Sequence, residues 1–129
     1  MSRATVVLDA SAILAFLFEE PGAAAVQGAV SRALVSAVNW AEVAQTCHSR
    51  GADPVAARTA LTGVGLEIVP LEITDAEAAA AMREATRPSG LSLADRCCLA
   101  LAARHGLPAL TTDTAWADAT TPAHVVLIR

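Results

Sequence analysis

A chain of 129 residues with 54% hydrophobic content is sized for one domain, residues 1–129, with a core of its own. No apolar stretch nears the roughly 20 residues of a membrane span, and Asp9 interrupts the N-terminal run where a signal peptide would be apolar throughout, so a soluble cytoplasmic protein without membrane contact is expected. The formal net charge of −4 excludes a generally basic nucleic-acid-binding surface, and all 9 basic residues are Arg, so a polyanion must be held by local arginines or by metal.

In chain order, "TVVLD" is a short β-branched run ending at Asp9, and "ASAILAFLF" follows as a nearly all-apolar helix, a buried strand feeding a buried helix. Residues 21–31 read as a second helix with Pro21 in its first turn, and "ALVSA" as a strand. A third helix runs from about Val38 to Arg50 and stops at Gly51. Asp53 and Pro54 are an N-cap and first-turn pair opening a helix to about Thr62. "LEIVPL" is strand-like, and Thr74 with Glu77 predicts a capping box for an Ala-rich helix to about Thr86. A helix over 92–105 is closed by Gly106 and Pro108, "PALTTD" is a strand ending at Asp113, and "HVVLI" is the last strand. Cys47, Cys97 and Cys98 form no CxxC pair and are expected to be reduced packing residues.

Strands alternating with helices imply parallel pairing, hence an α/β protein with helices on both faces of a central sheet. Sites in such sheets lie outside the carboxyl ends of the strands, at a switch point in strand order. Asp9 and Asp113 both occupy strand ends. Asp95 shares a helical arc with Cys98, Leu99 and Ala102, where an unpaired carboxylate is costly to bury. Two explanations stand open for it: a capping box with Ser92, or a partner cation. Glu42 lies opposite the apolar face of Trp40, Val43, Ala44 and Cys47, together with Val38, Asn39 and Thr46.

If Asp9, Asp95 and Asp113 face one crevice, two carboxylates about 4 Å apart repel by about 4 kcal/mol at an effective dielectric of 20. Oxygen-only ligands call for Mg²⁺ or Mn²⁺ as compensation, and such an ion on a phosphodiester points to metal-assisted hydrolysis.

The blocks "VVLDASAILAFLFEEPG", "VNWAEV", "LSLADRCCLALAARHGLPALTTD" and "TAWAD", in that order and spanning essentially the whole chain, resemble the successive motifs of the PIN-domain ribonucleases, specifically the VapC toxins of toxin–antitoxin modules. The resemblance implies a three-layer α/β/α sandwich around a parallel sheet and an endoribonuclease with an acidic Mg²⁺ or Mn²⁺ site. It also implies a homodimer held inactive by a cognate VapB-like antitoxin, with operator DNA reached only through that antitoxin. The family's acids fall on Asp9, Glu42, Asp95 and Asp113, and its small hydroxyl residues on Ser11 and Thr112.

On this reading Asp9, Asp95 and Asp113 coordinate metal directly or through water, and Glu42 is a ligand or orients the attacking water. Ser11 and Thr112 hydrogen-bond the carboxylates or metal waters, and Asn39 does likewise or caps the third helix. Arg96 contacts substrate phosphate or pairs with a surface acid, Trp116 stacks on a base or packs in the core, and Asp118 extends the acidic cluster or is a loop residue. A receiver domain is excluded by the missing lysine, and a haloacid-dehalogenase-like phosphatase by Ser11 where its second acid belongs. The rival from another class is a catalytically silent PIN-like scaffold, acting mainly through antitoxin binding and operator autoregulation.

Overall fold

The computed structural model describes residues 3–129. Five strands, β1 (Val6–Leu8), β2 (Ala33–Ser36), β3 (Glu67–Val69), β4 (Ala109–Thr111) and β5 (Val125–Leu127), form one sheet in the order β3-β2-β1-β4-β5. Every neighbouring pair is parallel. Seven α-helices connect them: α1 (Ala10–Leu17), α2 (Ala23–Ala29), α3 (Ala37–Ser49), α4 (Pro54–Gly63), α5 (Ile73–Ala81), α6 (Arg83–Thr86) and α7 (Leu93–His105).

Both faces of the sheet are covered, and the side chains of its strands alternate between two cores. Val7, Leu34 and Ala109 point to one side, where α5 and α7 contribute Ala79, Leu99 and Leu101. Leu8, Val35 and Leu110 point to the other, beneath Ile13, Val26, Val43 and Leu61 of α1 to α4. Helices on both sides of a parallel sheet make the α/β/α sandwich that the alternating pattern implied. Each fully buried Leu or Ile contributes about 1.5–3 kcal/mol by leaving water. Cys47, Cys97 and Cys98 are free thiols buried in these cores.

Three local expectations are corrected. Pro21 stands before α2 rather than in its first turn, because Gly22 is the N-cap. The capping box of Thr74 with Glu77 does not form: α5 begins at Ile73, so Thr74 is already helical, and Glu72 caps without a side-chain bond. The Ala-rich segment breaks at Met82 into α5 and α6. Elsewhere the punctuation acts as read, with Asp53 accepting from Val55 N–H ahead of Pro54 and Gly106 closing α7 in the left-handed conformation. Gly65 is required for packing: at φ +121° a Cβ would stand 2.4 Å from Ser31 O, so the turn into β3 lies directly on the backbone before β2.

In this order the chain runs outward from β1 in both directions, and the switch point is the β1–β4 boundary. The residues just past β1 and β4 are Asp9 and Thr112-Asp113.

Candidate active site

Asp9 is buried, and three donors surround its carboxylate. Ala12 N–H reaches Oδ1 at 2.8 Å, which makes Asp9 the N-cap of α1. Ser11 Oγ donates at 2.7 Å to Oδ1 and stands 2.9 Å from Oδ2, and Thr111 Oγ1 donates to Oδ2 at 2.6 Å. Both hydroxyls are oriented from behind. Ser11 Oγ accepts Thr112 N–H and Thr111 Oγ1 accepts Asp113 N–H, each at 3.0 Å, which leaves the hydroxyl hydrogens to point at Asp9. Burial nevertheless lifts the Asp9 pKa to about 6; the hydrogen bonds from Thr111, Ala12 and Ser11 pull it down, and the charge of Asp95 adds a further upward push.

Asp95 occupies the third position of α7. Its Oδ2 accepts Ser92 N–H at 2.8 Å while Ser92 Oγ accepts Asp95 N–H at 3.1 Å, a reciprocal capping box. Partial burial raises its pKa, the two Ser92 bonds lower it, and Asp113 raises it again. Capping therefore does not exclude a functional role for Asp95: one oxygen caps the helix, while the group feels the charge of Asp113 and adds its own to Asp9. Asp113 is exposed and caps the short helical turn 114–116 through Ala115 N–H at 2.9 Å.

Glu42 reaches the group through Asn39. Asn39 is fully buried, and its Nδ2 donates to Glu42 Oε1 and to Ala94 O, both at 3.1 Å. The polar face of α3 thus lies against the start of α7, one residue from Asp95. Both partners of Nδ2 are acceptors, which fixes the amide orientation. Its Oδ1 is buried without a hydrogen-bond partner among the described residues. Asn39 is not the cap of α3; Ser36 is.

Other expected residues fall elsewhere. Thr112 offers its backbone N–H to Ser11, while the hydroxyl on Asp9 belongs to Thr111, which the sequence reading missed. Residues two apart at a strand end share a face, so Thr111 rather than Thr112 accompanies Asp113. Arg96 forms no ion pair among the described residues: Nη1 donates to Ala79 O at 2.9 Å, satisfying a carbonyl in the last turn of α5, while its charge lowers the pKa of the adjoining Asp95. Trp116 is 1% exposed and packs in the core, which excludes stacking on a base. Asp118 is exposed beyond Trp116 and makes no hydrogen bond or ion pair among the described residues. A cleft of about 780 Å³ along α5 and α7, lined by alanines together with Asp75, Met82, Arg104 and residues 120–122, holds none of these acids.

Four carboxylates with no histidine suit a hard cation. Among the described residues no three His, Cys, Asp or Glu side chains gather closely enough to share an ion. An ion held here would therefore take one or two carboxylates directly and meet the others through water. Oxygens of Asp95, Asp113 and Glu42 not engaged in capping remain for that purpose.

Known proteins carry the same architecture. The chain overlays a toxin–antitoxin complex from Klebsiella pneumoniae with TM-score 0.70 and 25% identity, covering 93% of this chain and 99% of that one. It overlays VapBC-5 from Mycobacterium tuberculosis, a VapBC-family toxin–antitoxin system, with TM-score 0.63 and 27% identity over 97% and 99%. A third, VapC20 of M. tuberculosis, described as a sarcin-ricin loop cleaving toxin, shares the fold at TM-score 0.72 and 16% identity over 90% and 97%. Among curated proteins no significant sequence match was found. The PIN-domain family profile matches residues 6–121, and with acids at the β1–β4 switch point and VapC-type toxins as structural neighbours, the chain belongs to the PIN-domain family.

Proposed function

We propose that this chain is the toxin of a VapBC-type pair, a Mg²⁺- or Mn²⁺-dependent endoribonuclease that acts in the cytoplasm and is restrained by a VapB-like antitoxin. The observation that carries the reading is the placement of Asp9, Asp95 and Asp113 at the switch point, after β1, at the start of α7 and after β4, where burial and like charge raise the pKa of Asp9 and of Asp95. A fold tolerates such an arrangement when a cation completes it. The bound ion would supply an activated water and neutralise charge on the phosphodiester.

Asp9, Asp95 and Asp113 would hold the ion, directly or through water. Glu42, steadied by Asn39, would orient the attacking water or accept its proton as the P–O bond breaks. Ser11 and Thr111 would fix the Asp9 carboxylate. The antitoxin partner is supported by two structural neighbours being toxin–antitoxin assemblies, and the RNA substrate by a third being a ribosomal-loop cleaving toxin. A homodimer, and operator DNA bound through the antitoxin, complete the proposal.

The test is cleavage of a mixed pool of tRNA and ribosomal RNA by antitoxin-free protein, with Mg²⁺ or Mn²⁺ and with EDTA, beside Asp95→Asn. Discrete metal-dependent fragments absent in the variant are expected. A well-folded protein that cleaves nothing with either metal would instead favour the silent scaffold.

A further inference from the structure

Beyond Ser11 and Thr112 the crevice opens into a cleft of about 220 Å³, lined by Ala15, Glu20, Pro21, Thr112 and Arg129. It is smaller than the roughly 300 Å³ at which pockets for drug-sized ligands begin, so it suits one planar group. Ala15 lies one helical turn past Ser11, and Thr112 both binds Ser11 and precedes Asp113, so the cleft adjoins the acidic site through Thr112.

The wall formed by residues 18–22 is built under constraint. Glu19 has φ +54°, a left-handed backbone that a residue with a side chain keeps only when its surroundings enforce it. The enforcement is visible on both sides. Glu20 N–H bonds Ala15 O at 2.8 Å, and Arg50 lies 4.4 Å from the Phe18 ring centroid while its Nη1 stands 3.3 Å from Glu20 Oε2. Gly22, at φ +103°, leaves room for Ile128 O and Thr112 Cγ2, each 3.1 Å from where a Cβ would stand. The turn is thereby clamped between the end of α3 and the ends of β4 and β5, and it holds the half-exposed Glu20 carboxylate at the cleft alongside Arg129.

A carboxylate only accepts hydrogen bonds and a guanidinium only donates them. Together they match one nucleotide: a phosphate for the arginine and N–H groups on a base edge for the glutamate, the edges by which unstacked RNA bases are recognised. Arg129 also supplies a cation beside an acidic crevice in a chain of net charge −4, which lessens the repulsion RNA meets there. We infer that this cleft seats the unstacked nucleotide adjoining the scissile phosphodiester of RNA, with Arg129 on its phosphate and Glu20 reading its base. This subsite rests on the chain being a ribonuclease.

The experiment maps cleavage sites by sequencing after digestion of structured RNA by wild type, Glu20→Gln and Arg129→Gln. Glu20 belongs to an exposed ion pair, which contributes little to stability, so its variant is expected to fold. Glu20→Gln should change the preferred nucleotide beside the cut, since an amide donates where the carboxylate could not. Arg129→Gln should raise KM severalfold. In the inactive Asp95→Asn background with EDTA, Arg129→Gln should reduce the slope of log affinity against log salt by about 0.7, one phosphate contact on single-stranded RNA. A cleaving wild type whose site preference survives Glu20→Gln, with an unaltered salt slope in Arg129→Gln, overturns the subsite alone. A wild type that neither cleaves nor binds RNA overturns the ribonuclease reading with it.

Discussion

Thr111 Oγ1 stands 2.6 Å from Asp9 Oδ2, and the same hydroxyl accepts the backbone N–H of Asp113 at 3.0 Å. One side chain therefore links the acid after β1 to the acid after β4. Thr111→Val preserves shape and removes both bonds, leaving buried polar groups unpaired, and should cost about 1–3 kcal/mol in denaturant unfolding. Thr111 gives the largest of the contributions that lower the Asp9 pKa, so the variant should also move the acidic limb of the cleavage profile to higher pH. An unshifted limb would mean that Thr111 serves packing alone.

Burial lifts Asp9 from 3.8 to about 6, so between those values the folded chain holds a proton that the unfolded chain has released. Stability from this group is therefore greatest below about pH 4 and falls as pH rises through about 6, a loss on the order of 3 kcal/mol at neutral pH. Asp9→Asn cannot ionise and should flatten this part of the melting-temperature profile in EDTA. Mg²⁺ binds the ionised form, so its stabilisation of wild type should be full near about pH 7.5 and fade below about 6. A metal-induced gain in Tm that is the same at about pH 5 and pH 7.5 would contradict the assignment.

The capping box makes Asp95 separable from its neighbour. Asp95→Asn keeps an oxygen for Ser92 N–H and relieves repulsion from Asp9 and Asp113, so folding should change by less than about 1 kcal/mol while cleavage falls by about 10² or more. Ser92→Ala does the reverse, costing about 1 kcal/mol with cleavage retained. Melting curves and cleavage rates on the two proteins should show opposite patterns.

Arg104 grips both oxygens of Asp75 at 2.8 and 3.0 Å, tying the end of α7 to the start of α5. The Asp75 side chain is 4% exposed and the Arg104 side chain 38%, so removing the arginine strands a buried carboxylate. Arg104→Met should cost about 3 kcal/mol, and adding Asp75→Leu should recover most of it. Cleavage per folded molecule should be unaffected in both.

Much of this geometry was legible from the sequence because strand ends and helix starts are punctuated locally. Asp9 and Asp113 follow β-branched or apolar runs directly, and the parallel sheet brought them together without further assumption. Glu42 was half legible: its wheel position with Asn39 was right, but that this face meets α7 is a tertiary fact carried by the Asn39 bond to Ala94. Thr111 was hidden because the family motif points to the residue beside the acid, whereas strand alternation points two residues back. Arg96 misled because a surface cation and one folded over a helix-end carbonyl look alike until the neighbouring helix is in place. Trp116 gave no local sign, since a three-residue turn has no periodicity to assign it a face.

Two of the four acids, Asp9 and Asp113, cap a helical segment, and a third, Asp95, completes the capping box of α7. Folding and chemistry therefore draw on the same oxygens, and the two cannot drift apart freely. A lineage that abandoned catalysis would still need an acceptor at each helix start, and Asn or Ser supplies one at almost no cost whereas Ala does not. Silent descendants of such a chain should carry asparagine or serine where the aspartates stood, a fossil record of lost activity written in residues that still hold the helices.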